Sequence, residues 1–207
     1  MKTITLISFC LALAISTTFG QKGPARYFGE PVLTDSLSTL FIPTRYNEDF
    51  LAVNKIALWG DYNANLIVYN FQTDTYIKLF EQDTFIESFR RNNYSNSLRS
   101  HEKIKNITKQ WVFLLVKTKD TNNSGRIDEK DPSILFAVST NGQNLKQITT
   151  EKENVVSFEV YEKQGFLLVK IQKDTNNDNS FKADDKEYYY RKVSLTDLTL
   201  GNAIEIK

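Results

Sequence analysis

Two nearly identical polar stretches, each behind an apolar run, set the terms on which this chain folds. WVFLLVK (111–117) leads into KDTNNSGRIDEKD (119–131), and GFLLVK (165–170) leads into KDTNNDNSFKADD (173–185). The polar stretches start 54 residues apart, from 119 to 173. Short β-rich runs surround them in the same order. The first set reads DTFIESF, QWVFLLVKTK, the loop, PSILFAVST, a turn at Asn141-Gly142, and NLKQIT. The second reads NVVSFEV, GFLLVKIQ, the loop, KEYYYRKVSL, a turn at Thr196-Asp197, and NAIEIK. A weaker third copy lies upstream: STLFIPTR, NKIALWG, a short turn DYNAN, LIVYNF, a turn around Thr73-Asp74, and TYIKLF. Val156, Phe158 and Val160 alternate with Ser157 and Glu159, as a half-buried strand requires, whereas FLLVKI is continuously apolar, as an inner strand would be. Helical periodicity is hard to find. The expectation is an all-β chain of repeated four-stranded antiparallel meanders, in units spanning about 32–81, 83–149 and 153–207.

A repeat near 50 residues built from such meanders is the mark of a β-propeller-like stack, in which each unit buries the face its neighbour leaves open. The hairpin STNGQNLKQIT makes the repeat similar to the TolB-like propellers of secreted and periplasmic bacterial proteins. Three units are fewer than the four to eight blades of a typical propeller. Completion of the ring in a homo-oligomer is therefore one expectation, and an open stack or small sandwich the other.

The polar stretches carry the chemistry. Calcium takes six to eight oxygens, and a 12-residue loop can supply them from positions 1, 3, 5, 7, 9 and 12, with position 7 giving its carbonyl and position 6 turning at positive φ. Counting from Asp120 places Asp120, Asn122, Ser124, Arg126, Asp128 and Asp131 at those six positions, with Gly125 at 6 and Ile127 as the apolar anchor. Counting from Asp174 places Asp174, Asn176, Asp178, Ser180 and Asp185 at 1, 3, 5, 7 and 12, with Asn179 at 6 and Phe181 as anchor. Lys182 falls at 9, where water would have to substitute. The loops resemble EF-hand calcium loops residue by residue, but their flanks read as strands. The closer likeness is to the calcium loops inside β-hairpins of integrin α-subunit propellers. That resemblance implies Ca²⁺ as cofactor. Residues 120–131 hold four acids and two bases, and 174–185 four acids and one base, so a cation would relieve net charges of −2 and −3. An extracellular module with few carboxylates binds at roughly 10⁻⁴–10⁻³ M. The competing reading is a pair of ordinary turns, because Asp, Asn, Ser and Gly favour turns without metal.

The first residues, MKTITLISFCLALAISTTFGQ, order one lysine, an apolar run from Ile4 to Ile15, and small residues up to Gly20. That order predicts a secretory signal peptide over 1–20 and a secreted or periplasmic protein over 21–207. The run is shorter than the ~20 apolar residues of a membrane span. Cys10 lies deep in it behind the bulky Phe9, which argues against a lipoprotein. Without 1–20, Lys2 is lost and no acid, so 25 Lys plus Arg face 25 Asp plus Glu and no cysteine remains. Disulfides are excluded, and no charge excess points to nucleic acid or an anionic membrane.

Nucleophile elbow, histidine pair and phosphate loop are all missing from the sequence. His101 is the only histidine and sits in a basic insertion, residues 88–110, with six Lys or Arg. The insertion reads as a solvated loop or as a docking surface for an acidic partner. Tyr188 and Tyr190 share one face of a strand and Tyr189 the other; Trp59 and Trp111 read as core. Together these features predict an exported, non-catalytic calcium-binding module that engages a protein or envelope component. The alternative is a carbohydrate-binding module or carbohydrate-active enzyme using Tyr188, Tyr190 and loop acids.

Overall fold

The computed structural model describes residues 26–34, 38–46, 62–87, 107–125, 127–182 and 184–206. The signal peptide, NKIALWG with Trp59, most of the basic insertion with His101, and Arg126 lie outside the described residues. Those that are described form thirteen antiparallel strands and one 3₁₀ turn, with no α-helix. Strands β1 (Arg26–Phe28), β2 (Val32–Leu33), β3 (Thr39–Tyr46), β4 (Tyr62–Asn70), β5 (Thr75–Lys78), β6 (Phe85–Glu87), β7 (Trp111–Lys117), β8 (Ile134–Ser139) and β9 (Lys146–Gln147) share one sheet. Strands β10 (Asn154–Tyr161), β11 (Phe166–Gln172), β12 (Tyr188–Ser194) and β13 (Leu200–Ile204) make a separate four-stranded meander.

The all-β, antiparallel expectation holds, and the third unit is the meander its sequence predicts. A closed barrel or propeller ring is not formed by the described strands. The first two units differ from expectation in being continuous. β4 pairs with β5 along Ile67–Asn70, and its start, Tyr62 and Asn63, pairs with Glu87 and Ile86 of β6. The stretch DYNAN, expected as a turn, supplies Tyr62–Asn65 to β4 instead. The reason is local. Asn65 is buried, and its Oδ1 accepts from the Leu66 and Phe80 amides while its Nδ2 donates to the Phe80 and Gln82 carbonyls. A side chain so fully hydrogen-bonded can sit inside a strand.

Alternation along β7 and β8 explains how the units pack. Val112, Leu114, Val116, Ile134, Phe136 and Val138 point into one cluster with Phe41, Leu66 and Val68 of the first unit. Phe113, Leu135 and Ala137 point the other way, against Leu167, Val169, Ile171 and Val193 of the third, with Trp111 and Leu115 at the margin. The middle unit is thus buried on both faces, and its strands are apolar at almost every position for that reason. Polar contacts follow the same stacking. Thr34 donates to the Thr140 carbonyl at 3.0 Å, and the Trp111 indole donates to the Leu195 carbonyl at 2.8 Å. At the β8–β9 turn Gly142 has φ +82°, and a Cβ there would lie 2.2 Å from Cγ1 of Val68.

Candidate metal site

Both polar stretches connect the two central strands of their units, β7 to β8 and β11 to β12, and both close by one hydrogen-bond scheme. In the first loop, Asp120 accepts from the Ser124 amide (3.1 Å) and the Gly125 amide (2.7 Å), and Asn122 Oδ1 accepts from the Ser124 amide at 2.9 Å. In the second, Asp174 accepts from the Asp178 amide (3.2 Å) and the Asn179 amide (2.8 Å), and Asn176 Oδ1 from the Asp178 amide at 3.0 Å. Positions 4 and 6 carry positive φ in both: Asn123 and Gly125 at 58° and 90°, Asn177 and Asn179 at 58° and 57°. Asparagine tolerates this left-handed region better than other side chains, so Asn179 does the work of Gly125. The apolar anchors sit inward. Phe181 is buried, and Ile127 packs on the cluster of Tyr46, Ala64 and Phe85.

Position 12 closes each loop. Asp131 Oδ1 accepts from the Thr121 amide (2.8 Å), and its Oδ2 accepts from the Asp128 amide at 2.7 Å. Asp185 Oδ1 accepts from the Thr175 hydroxyl (2.6 Å) and amide (3.0 Å), and its Oδ2 from the Lys182 amide at 3.0 Å. Both aspartates are almost wholly buried. The Thr175 hydroxyl, then the Lys182 and Thr175 amides, hold the Asp185 carboxyl below its ordinary range. The position-12 carbonyl is also held from behind. The Lys117 ammonium donates to the Asp131 carbonyl, and the Gln172 amide donates to the Asp185 carbonyl at 2.8 Å. Lys117 is 4% exposed. Burial lowers its pKa, against the pull of Glu87, Asp131, Asp128 and Glu129.

The loops also touch each other. The Phe181 amide donates to the Lys130 carbonyl at 2.8 Å, and the Thr121 hydroxyl lies 3.1 Å from the Asn179 carbonyl. A side-chain chain runs beneath them: Ser133 amide to Asn154 Oδ1, Asn154 Nδ2 to Gln172 Oε1, and Gln172 Nε2 to the Lys182 carbonyl. Residues 54 apart in sequence therefore form one paired structure at one edge of the stack. Beside it, Lys152, Lys173, Asp174, Asn177, Phe181 and Tyr189 line a cleft of about 310 Å³.

The donor set of the first loop suits a hard cation. Asp120, Asn122, Ser124 and Asp128 offer carboxylate, amide and hydroxyl oxygens, and each Asp120 oxygen accepts one N–H and keeps a lone pair. Among the described residues no three His, Cys, Asp or Glu side chains converge. Amide, hydroxyl and carbonyl oxygens must then complete the shell, which suits calcium and not a transition metal. The second loop fits less well. The Lys182 ammonium lies 2.6 Å from Asp178 Oδ2, where the loop would otherwise present a free carboxylate oxygen. That contact lowers the pKa of Asp178 and raises that of Lys182.

Sequence reasoning missed Lys117, Gln172 and the loop-to-loop bonds. Lys117 and Gln172 end apolar strands and read as solvent-facing exits. No family model matches this chain, and no curated protein is similar to it in sequence.

Proposed function

We propose that this is an exported, non-catalytic, calcium-stabilised protein of stacked, blade-like β units, in which Asp120, Asn122, Ser124, the Arg126 carbonyl and Asp128 hold one ion. Asp174, Asn176, Asp178 and the Ser180 carbonyl hold a second, weaker one. One observation carries the reading: two loops 54 residues apart fold by the same hydrogen-bond scheme and then bond to each other. A turn needs none of this, since Asn70–Thr75 reverses the chain in the first unit with a shorter connection. Calcium would cross-link strand ends and do no chemistry. The stacked faces would serve a protein or envelope partner in the secreted or periplasmic space.

The test is terbium luminescence of metal-stripped protein with calcium as competitor. The reading expects two binding steps, one removed by Asp120→Ala and the other by Asp174→Ala. A luminescence response that survives both substitutions would contradict it.

The outward pairing of Tyr188 and Tyr190, both exposed on one face, favours carbohydrate binding as the second reading. A calcium-dependent hit on a glycan array that Tyr190→Ala abolishes would support it over the first.

A further inference from the structure

The repeat offers a way to say what covers the two ends of the stack. Phe113 and Leu115 of β7 point to the face that packs against the third unit. Their counterparts by alignment of FLLVK, Phe166 and Leu168 of β11, stand 53 residues on (113 to 166, 115 to 168). They too point away from their own unit's core, which Leu167 and Val169 occupy. No fourth unit follows to receive them. Tyr188, Tyr190 and Ile204 share that outer face, because β12 pairs with β11 through Lys170↔Tyr190 and with β13 through Tyr190↔Ile204. Ile204 is 58% exposed. Lys170 and Lys192 lie over the rings of Tyr188 and Phe166, at 4.6 and 5.1 Å from their centroids, so their stems add apolar surface.

The opposite end is the same kind of surface. In the first unit Phe41, Leu66 and Val68 face inward. Leu33, Leu40, Ile42, Ile67, Tyr69 and Tyr76 are held on the other side by the pairs Leu33↔Leu40, Ile42↔Ile67, Leu40↔Tyr69 and Tyr69↔Tyr76. Leu33 is 59% and Tyr76 72% exposed. Stacked-repeat proteins normally end in units with a polar outer face. Here both ends are apolar, and each is the half of a stacking joint that the chain makes twice internally.

We infer that the occupant is a second copy of this chain, docked head to tail. The outer face of one copy's third unit receives the outer face of the other copy's first unit. Such a heterologous joint closes into a two-chain ring if the rotation allows and otherwise propagates. The inference rests on the stacked-unit reading but not on calcium, so a negative metal titration leaves it standing.

The experiment is sedimentation equilibrium of the purified protein with charge substitutions at highly exposed positions, which leave the fold intact. Wild type is expected to run at twice the chain mass or more at micromolar concentration. Tyr190→Lys with Ile204→Lys should weaken association at least about tenfold, and so should Leu33→Lys with Tyr76→Lys. Mixing the two double variants should recover hetero-association, since each retains the face the other has lost. A monomeric wild type would overturn the inference. So would a dimer that only the third-unit substitutions disrupt, which would indicate face-to-face pairing. Circular dichroism identical to wild type excludes misfolding as the cause of any loss.

Discussion

At the scale of single residues, the candidate site is a contest between a cation and the protein's own charges. Lys182 already neutralises Asp178 in the second loop, while the first loop has Asp128 at the same position. Replacing Lys182 by Asn should free Asp178 and tighten calcium binding at the second loop several-fold to about tenfold, because affinity in such loops follows the charge of the ligand set. Competition against terbium would report it; unchanged affinity would show that Lys182 is no rival.

Glu153 permits a pH prediction. Burial pushes its pKa up, but the Thr150 amide, the Tyr189 hydroxyl and the Arg191 guanidinium together outweigh that and hold it below the ordinary glutamate range. The unfolded chain therefore takes up the proton more readily. The stabilisation is complete above the unfolded pKa and is lost as pH falls through the folded one. Glu153→Gln should cost about 1–3 kcal/mol at neutral pH. Urea denaturation repeated toward pH 3 should show the difference shrinking, and a difference constant with pH would refute the assignment.

At the scale of elements, turns and strand exits decide the outcome. Gly142 and Gly165 both have positive φ, but a Cβ at Gly142 meets Val68 whereas one at Gly165 meets nothing. Gly142→Ala should destabilise by at least about 2 kcal/mol, strain and overpacking together. Gly165→Ala should cost about 1 kcal/mol, from backbone strain alone. Equal losses in thermal melts would remove the Val68 contact from the account.

Strand identity was readable in the sequence because burial writes it there. Residues 154–160 alternate, and β7 and β8 are apolar throughout because both of their faces are covered. Tyr189 pointed inward and Tyr188 and Tyr190 outward by the same alternation. The DYNAN stretch was not readable. Asn63 and Asn65 look like turn residues, and only their burial within β4, and for Asn65 the contacts of its amide, makes them strand. The twelve-residue spacing was legible in both loops, as was the positive φ of Asn179. The closing role of Asp131 and Asp185, and the bonds from Lys130 to Phe181 and from Thr121 to Asn179, were not. Those depend on how the second and third units pack, and no local pattern records it.

For the whole molecule, the loops tie the second and third units at one edge while two apolar clusters hold the three units together. A metal bound only by the folded chain stabilises it by mass action. With dissociation constants of roughly 10⁻⁴–10⁻³ M, 10 mM calcium would add about 1.4–2.7 kcal/mol per site. In a domain of this size that amounts to a rise of roughly 3–10 °C in melting temperature for one occupied loop. The most direct measurement is the thermal melt of metal-stripped protein with and without 10 mM calcium, using magnesium as control. The account predicts a rise of that order with calcium, smaller with magnesium, and reduced by Asp120→Ala. A melting temperature unmoved by calcium, in protein shown to be free of metal beforehand, would contradict it.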